Sequence, residues 1–138
     1  MIVEDNLPLS AVLQIMLEEE GHEVRCAADS REGYRRILFF QPDVVITDLH
    51  LPGGNGLDMM QRVRRVNPGV KAIYMSADLS PFHARLREET DRYPVRILPK
   101  PFSREDLLDL LAALGNGGEG RLALASREPL GMAERTGE

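Results

Sequence analysis

The chain of 138 residues is 43% hydrophobic and 28% charged, with a formal net charge of -5 and a pI near 5.3. Its length suits one domain plus a tail, at roughly 100 to 200 residues per domain, and the composition excludes wholesale disorder, collagen and a disulfide scaffold. The acidic balance disfavours direct nucleic-acid binding, the single cysteine, Cys26, excludes an internal disulfide and a Cys-based zinc site, and apolar runs too short to span a bilayer, with no signal-peptide layout, predict a cytoplasmic chain without membrane insertion.

Ile2 and Val3 predict the end of a buried strand that closes on two acids, Glu4 and Asp5. Leu9, Val12, Leu13, Met16 and Leu17 then recur at helical spacing, and Gly21 supplies a C-terminal cap. A second strand is expected over Val24 to Ala27, with Cys26 as a small buried strand residue, and a second helix on Tyr34, Ile37 and Leu38, stopping before Pro42. Val44, Val45, Ile46 and Thr47 form a continuous β-branched run ending at Asp48, as suits a central parallel strand covered on both faces. Gly53, Gly54 and Gly56 predict a flexible loop, followed by a third amphipathic helix on Leu57, Met60 and Val63. Val70 to Met75 reads as a strand, Pro81 to about Glu89 as a helix and Val95 to Leu98 as a strand. Ser103 and Asp106 open a final helix carrying Leu107, Leu108, Leu111 and Leu114.

Five strands alternating with five helices predict a doubly wound α/β fold, a five-stranded parallel sheet with helices on both faces. The domain is expected over residues 1–114, with residues 115–138 as a Gly-rich linker or flexible C-terminal tail, because the glycines from Gly115 onward oppose helix continuation. Leu122 to Ala125 and Leu130 are apolar residues within that tail.

Ligands of such folds bind beyond the carboxyl ends of the strands. That rule collects Glu4 and Asp5 after the first strand, Asp48 after the third, Ser76 after the fourth and Lys100 after the fifth. Each alone would be an ordinary surface carboxylate, turn hydroxyl or solvated cation. Together they make an acidic mouth whose mutual repulsion a hard divalent cation relieves, and Mg²⁺ fits because it takes oxygen ligands and bridges to phosphate. Asp48 is the expected nucleophile toward phosphorus, Glu4 and Asp5 the metal-holding acids, Lys100 the counter-charge for the phosphoryl oxygens and Ser76 their hydrogen-bond donor.

Through Ile2-Val3-Glu4-Asp5-Asn6, Val44 to Pro52, Met75-Ser76-Ala77 and Leu98-Pro99-Lys100-Pro101-Phe102, residues 1–114 resemble the receiver domains of two-component response regulators. The resemblance implies a flavodoxin-like receiver fold and phosphotransfer to Asp48 from the phosphohistidine of a histidine kinase or phosphotransfer protein. It implies Mg²⁺ held by Glu4, Asp5, Asp48 and the backbone carbonyl of His50, and a cis bond between Lys100 and Pro101. A downstream effector protein or domain would read a surface around the fourth helix and fifth strand, and a homodimer is left open. The chain would then be a switch catalysing only its own phosphotransfer and dephosphorylation. Three features depart from the family pattern. Ile97 stands where an aromatic residue is common, the first strand is short, and Glu89 to Val95 replaces a small-residue turn. The side chains of His50 and Asp78 are read either as influences on phosphoryl lifetime or as plain solvent-exposed groups.

Rival chemistries lack their motifs. A P-loop and a dinucleotide-binding glycine fingerprint are both absent, and a haloacid-dehalogenase-like phosphatase would carry a second Asp where His50 stands. A flavin binder of the same fold would need a phosphate-cradling loop after the first strand. A receiver fold serving only as a protein-binding module is the remaining alternative within signalling.

Overall fold

A computed structural model describes residues 1–119. The elements, in chain order, are β1 (Ile2–Val3), α1 (Leu7–Glu19), β2 (Cys26–Ala27), α2 (Ser30–Phe40), β3 (Val44–Asp48), β4 (His50–Leu51), β5 (Gly54–Asn55), α3 (Gly56–Val66), β6 (Lys71–Ser76), a 3₁₀ turn (Ser80–Phe82), α4 (His83–Arg92), β7 (Val95–Pro99) and α5 (Arg104–Glu119). Five strands form one parallel sheet in the order β2-β1-β3-β6-β7, and β4 and β5 make a small antiparallel hairpin. This is the flavodoxin-like strand order, whose switch point lies between β1 and β3.

Strand alternation divides the core into two layers. Val3, Val45, Ala72, Tyr74 and Val95 face one side of the sheet and meet Ile37 of α2, Leu57, Met60 and Val63 of α3 and Leu86 of α4. Ile2, Ile46, Ile73, Met75 and Leu98 face the other and meet Leu13 and Leu17 of α1 and Leu107, Leu111 and Leu114 of α5. Each fully buried aliphatic side chain contributes about 1.5–3 kcal/mol by leaving water, so both layers are needed to hold the strand ends level. Met59, Met60 and Met75 are buried within these layers.

The helix starts follow local chemistry. Asn6 caps α1 by accepting from the Leu9 amide, Asp29 caps α2 through the Glu32 amide, and Asn55 caps α3 through the Asp58 amide. Ser103 and Asp106 exchange reciprocal side-chain-to-amide bonds of 3.0 Å at the start of α5, as expected from their spacing.

Several expectations are corrected. Only Cys26 and Ala27 of the expected second strand pair with β1, and Cys26 is half-buried. The predicted flexible loop after Asp48 contains the β4–β5 hairpin, and the fourth helix is preceded by a 3₁₀ turn and runs on to Arg92. Val12 points outward with Leu7 and Ile15, so the buried stripe of α1 is carried by Leu13 and Leu17. α5 continues through Gly115, Asn116, Gly117 and Gly118 to Glu119 where a break was expected at Leu114. Each glycine costs about 1 kcal/mol relative to alanine in a helix, and a helix already nucleated by its N-terminal box and packed through Leu107, Leu111 and Leu114 carries that cost. Residues 120–138, with Leu122 to Ala125 and Leu130, lie outside the described residues.

Candidate functional site

The register of the sheet brings the sequence-selected residues together. Val3 pairs with Thr47, Asp48 with Met75, and Ser76 with Pro99, so β1, β3, β6 and β7 end at one level and deliver Glu4, Asp48, Ser76 and Lys100 to the same mouth. Asp48 is held from both sides of the chain. Its Oδ1 accepts the His50 amide at 3.0 Å, and its Oδ2 accepts the Lys100 Nζ at 2.7 Å. Lys100 also donates to Glu4 Oε1 at 2.9 Å, while Glu4 Oε2 accepts the Asn6 amide at 3.0 Å. The ammonium therefore bridges two carboxylates that would otherwise repel each other.

Burial sets the electrostatics. Glu4 is 1% exposed, and loss of water around its carboxylate is the main influence raising its pKa above 4.5, with the charge of Asp48 adding to the rise and the Asn6 amide and Lys100 opposing it. For Lys100, burial works to lower the pKa, but hydrogen bonds and charges from Asp48 and Glu4 together outweigh it and leave the ammonium above its usual value. The lysine is thus held as a cation.

Asp5 is exposed and completes an acidic group with Glu4 and Asp48, one carboxylate oxygen from each lying within 4.8 Å of the others. Octahedral Mg²⁺ takes oxygens at about 2.0–2.1 Å, which places opposite ligands roughly 4 Å apart. The all-oxygen donor set and its spacing fit such an ion after small side-chain adjustments, and the absence of His or Cys from the group disfavours zinc. His50 stands beside this set, its amide already bonded to Asp48.

Ser76 is buried at the opposite lip. Its hydroxyl donates to the Asp78 carbonyl at 2.8 Å and accepts the Asp78 amide at 3.0 Å, so it is turned into its own loop. The His50 ring is exposed, yet its Nε2 lies 3.4 Å from the same Asp78 carbonyl and its ring packs edge-on against Phe82 at 5.1 Å. The acceptor loop thereby touches the segment leading into α4. Lys100 donates its amide to the Ser76 carbonyl at 2.8 Å, and the Lys100–Pro101 bond is cis, as the resemblance implied.

Two supporting residues were not selected from sequence. Asn6 both caps α1 and orients Glu4, a role signalled by an Asn directly before the Leu-Pro start of a helix. Gly56 packs against the backbone of Asp48 so closely that a Cβ there would stand 2.5 Å from the Asp48 carbonyl oxygen. Its signal was only one glycine among several. Ile97, the non-aromatic position, is half-buried beside Tyr74 and packs on the layer that includes α4.

Comparisons with known proteins agree with this geometry. The sequence profile of the response regulator receiver domain matches residues 1–112. The DNA-binding transcriptional regulator NtrC of Azospirillum brasilense is 31% identical over 111 residues, covering 80% of this chain and 23% of that protein. The sensory/regulatory protein RpfC of Xanthomonas campestris is 33% identical over 118 residues, covering 83% of this chain and 16% of that protein. The chain therefore spans less than a quarter of the length of these relatives. Among solved structures, a response regulator receiver domain protein from Clostridium thermocellum superposes with a TM-score of 0.74 at 25% identity, over 84% of this chain and 92% of that one. The chemotaxis protein CheY4 of Vibrio cholerae gives 0.73 at 26% identity, over 82% and 94%. No helix among the described residues is long and apolar enough to cross a membrane. With its profile match, strand order and acidic mouth, the chain belongs to the response regulator receiver domain family of two-component systems.

Proposed function

We propose that Asp48 accepts a phosphoryl group from the phosphohistidine of a histidine kinase or phosphotransfer protein, and that the modified domain then offers a changed surface to a downstream effector in the cytoplasm. The observation that carries this reading is the Lys100 ammonium bridging Asp48 at 2.7 Å and Glu4 at 2.9 Å at the strand ends. A carboxylate held by a backbone amide and a fixed cation is oriented for in-line attack on phosphorus. In that step an Asp48 oxygen bonds to phosphorus while the phosphorus–nitrogen bond to the donor imidazole breaks and its electron pair stays on nitrogen. Bound Mg²⁺, held by Glu4, Asp5, Asp48 and the His50 carbonyl, would supply charge neutralisation for the phosphoryl oxygens. Lys100 then exchanges a carboxylate partner for a phosphoryl oxygen.

Phosphorylation adds about -1.5 to -2 charge. That charge draws the Ser76 hydroxyl from the Asp78 carbonyl toward the phosphoryl group, and residues 77–79 follow because Ser76 and Asp78 are bonded to each other. Movement there reaches α4 through Phe82, which already contacts His50. Such a route needs no aromatic side chain at position 97.

Beryllofluoride binding with Mg²⁺, followed by ¹⁹F NMR on the wild type and Asp48→Asn, tests the reading. A Mg²⁺-dependent bound resonance that the variant lacks is expected; an equal resonance in both would remove Asp48 as the acceptor.

A further inference from the structure

Between α2, the β4–β5 hairpin and α3 lies a concavity of about 470 Å³ that takes no residue from the acidic mouth. Its wall includes Arg31, Tyr34, Arg35, Gly53, Gly54 and Arg62. The chain carries a net charge of -5, and three guanidinium groups here line one hollow.

These arginines differ from the others around them. The side chains of Arg31 and Arg35 have no hydrogen-bond or ion-pair partner among the described residues, and they sit one turn apart on α2, a spacing at which like charges destabilise a helix. Arg62 likewise has no carboxylate partner among the described residues; its guanidinium lies 4.0 Å over the Tyr34 ring. Stacking of this kind fixes the plane of the group while leaving its N–H edge free to donate. The acids nearby, including Asp58 in the wall of the hollow itself, are committed to other partners. Asp29 caps α2 through the Glu32 amide at 2.7 Å, Glu32 pairs with Arg36 at 3.1 Å, and Asp58 pairs with Arg85 at 2.7 Å.

The backbone adds to the same field. α2 is 11 residues long, and its first residues, Ser30 and Arg31, line the hollow, so the positive end of its dipole opens there. Gly53 takes φ of +81°, a conformation that L side chains rarely adopt, and turns the hairpin tip toward Ser30. Tyr34 and the buried Met59 provide an apolar floor.

We infer that this concavity is a binding site for a small molecule carrying two or more phosphate groups. Planar guanidinium forks match phosphate oxygens in pairs, and three of them on two helices exceed what a single phosphate needs. The volume falls within the roughly 300–1,000 Å³ of small-molecule sites, which favours a compact ligand over an extended acidic protein segment.

Inorganic pyrophosphate is the probe, titrated without Mg²⁺ into the full chain and followed by calorimetry and by ¹H–¹⁵N NMR. Saturable binding with Kd of about 1 mM or tighter is expected, with amide shifts centred on Ser30, Arg31, Gly53 and Gly54. Arg31→Ala, Arg35→Ala and Arg62→Ala, all at exposed positions, should each weaken it about tenfold or more, whereas Arg87→Ala on α4 should not. Non-saturating shifts, shifts centred on Lys100, or equal loss in Arg87→Ala would overturn the assignment.

Discussion

Replacing Glu89 with alanine removes the carboxylate that, among the described residues, neutralises a buried cation. Arg64 of α3 has a side chain only 3% exposed and pairs with Glu89 of α4 at 2.5 Å; the fully buried Tyr74 hydroxyl of β6 donates to the same Glu89 oxygen at 2.7 Å. What stays with Arg64 is weak, a 3.4 Å bond to the Val70 carbonyl and the Tyr93 ring at 4.1 Å, and its Nε is already without a partner. Breaking a buried pair by removing one partner costs about 3–5 kcal/mol. With a urea m-value of about 1–3 kcal/mol/M, the unfolding midpoint should fall by roughly 1–5 M. Replacing both charges with leucine should lose much less, because the desolvation cost of Arg64 goes with them. Equilibrium urea unfolding by circular dichroism on Glu89→Ala, Arg64→Leu and Arg64→Leu/Glu89→Leu measures all three. A loss below about 1 kcal/mol for Glu89→Ala, or a double variant as unstable as the sum of the singles, would mean that Arg64 does not depend on Glu89 for its neutralisation.

The same network makes a pH prediction. Burial, and then the nearby Glu89 charge, push the Tyr74 pKa well above 10.0. A group with a raised folded pKa contributes stability that is fully present below its unfolded pKa and is lost as pH rises through the folded one, so Tyr74 should destabilise the fold progressively above pH 10.0. The tyrosinate absorbance difference between wild type and Tyr74→Phe should appear only with unfolding; its appearance in the native state would contradict the burial argument. At the mouth, Lys100→Met leaves Glu4 and Asp48 facing each other without their shared cation, and acetyl phosphate labelling of the variant should slow by at least about tenfold, as removal of one electrostatic stabiliser does. Unchanged labelling kinetics would remove the lysine from the reaction. Gly56→Ala forces a methyl group against the Asp48 carbonyl and should cost about 1–3 kcal/mol, while Leu107→Ala, in the core layer under α1 and α5, should cost about 2–5 kcal/mol through the cavity it leaves. Thermal unfolding of both variants checks the two values.

The strand-end residues were legible because a parallel strand buried on both faces reads as a continuous apolar run, and its chemistry follows at once. Val44 to Thr47 announced Asp48, and Val70 to Met75 announced Ser76, since in each case the first polar residue after the run emerges at the mouth. Helix caps were legible for a similar reason: Ser103 and Asp106 act on their own neighbours. What escaped depends on contacts distant in sequence. Glu89 reads as a surface acid of α4 until Arg64, 25 residues earlier, is packed beneath it. Gly56 looks like another loop glycine until β3 is laid against it, and glycine propensity alone ends α5 too early because the packing that opposes it is present only in the folded sheet. The arginine-lined hollow was invisible for the same reason, since α2 and α3 contribute its charges from opposite sides.

Whether Asp48 is a phosphoryl acceptor served by Lys100 and a divalent cation can be read from intact-mass spectrometry of wild type and Asp48→Asn after incubation with acetyl phosphate, with and without Mg²⁺. One phosphoryl adduct per chain is expected in the wild type, dependent on Mg²⁺ and absent from the variant. An adduct that survives in Asp48→Asn, or that forms equally well without Mg²⁺, would contradict that role.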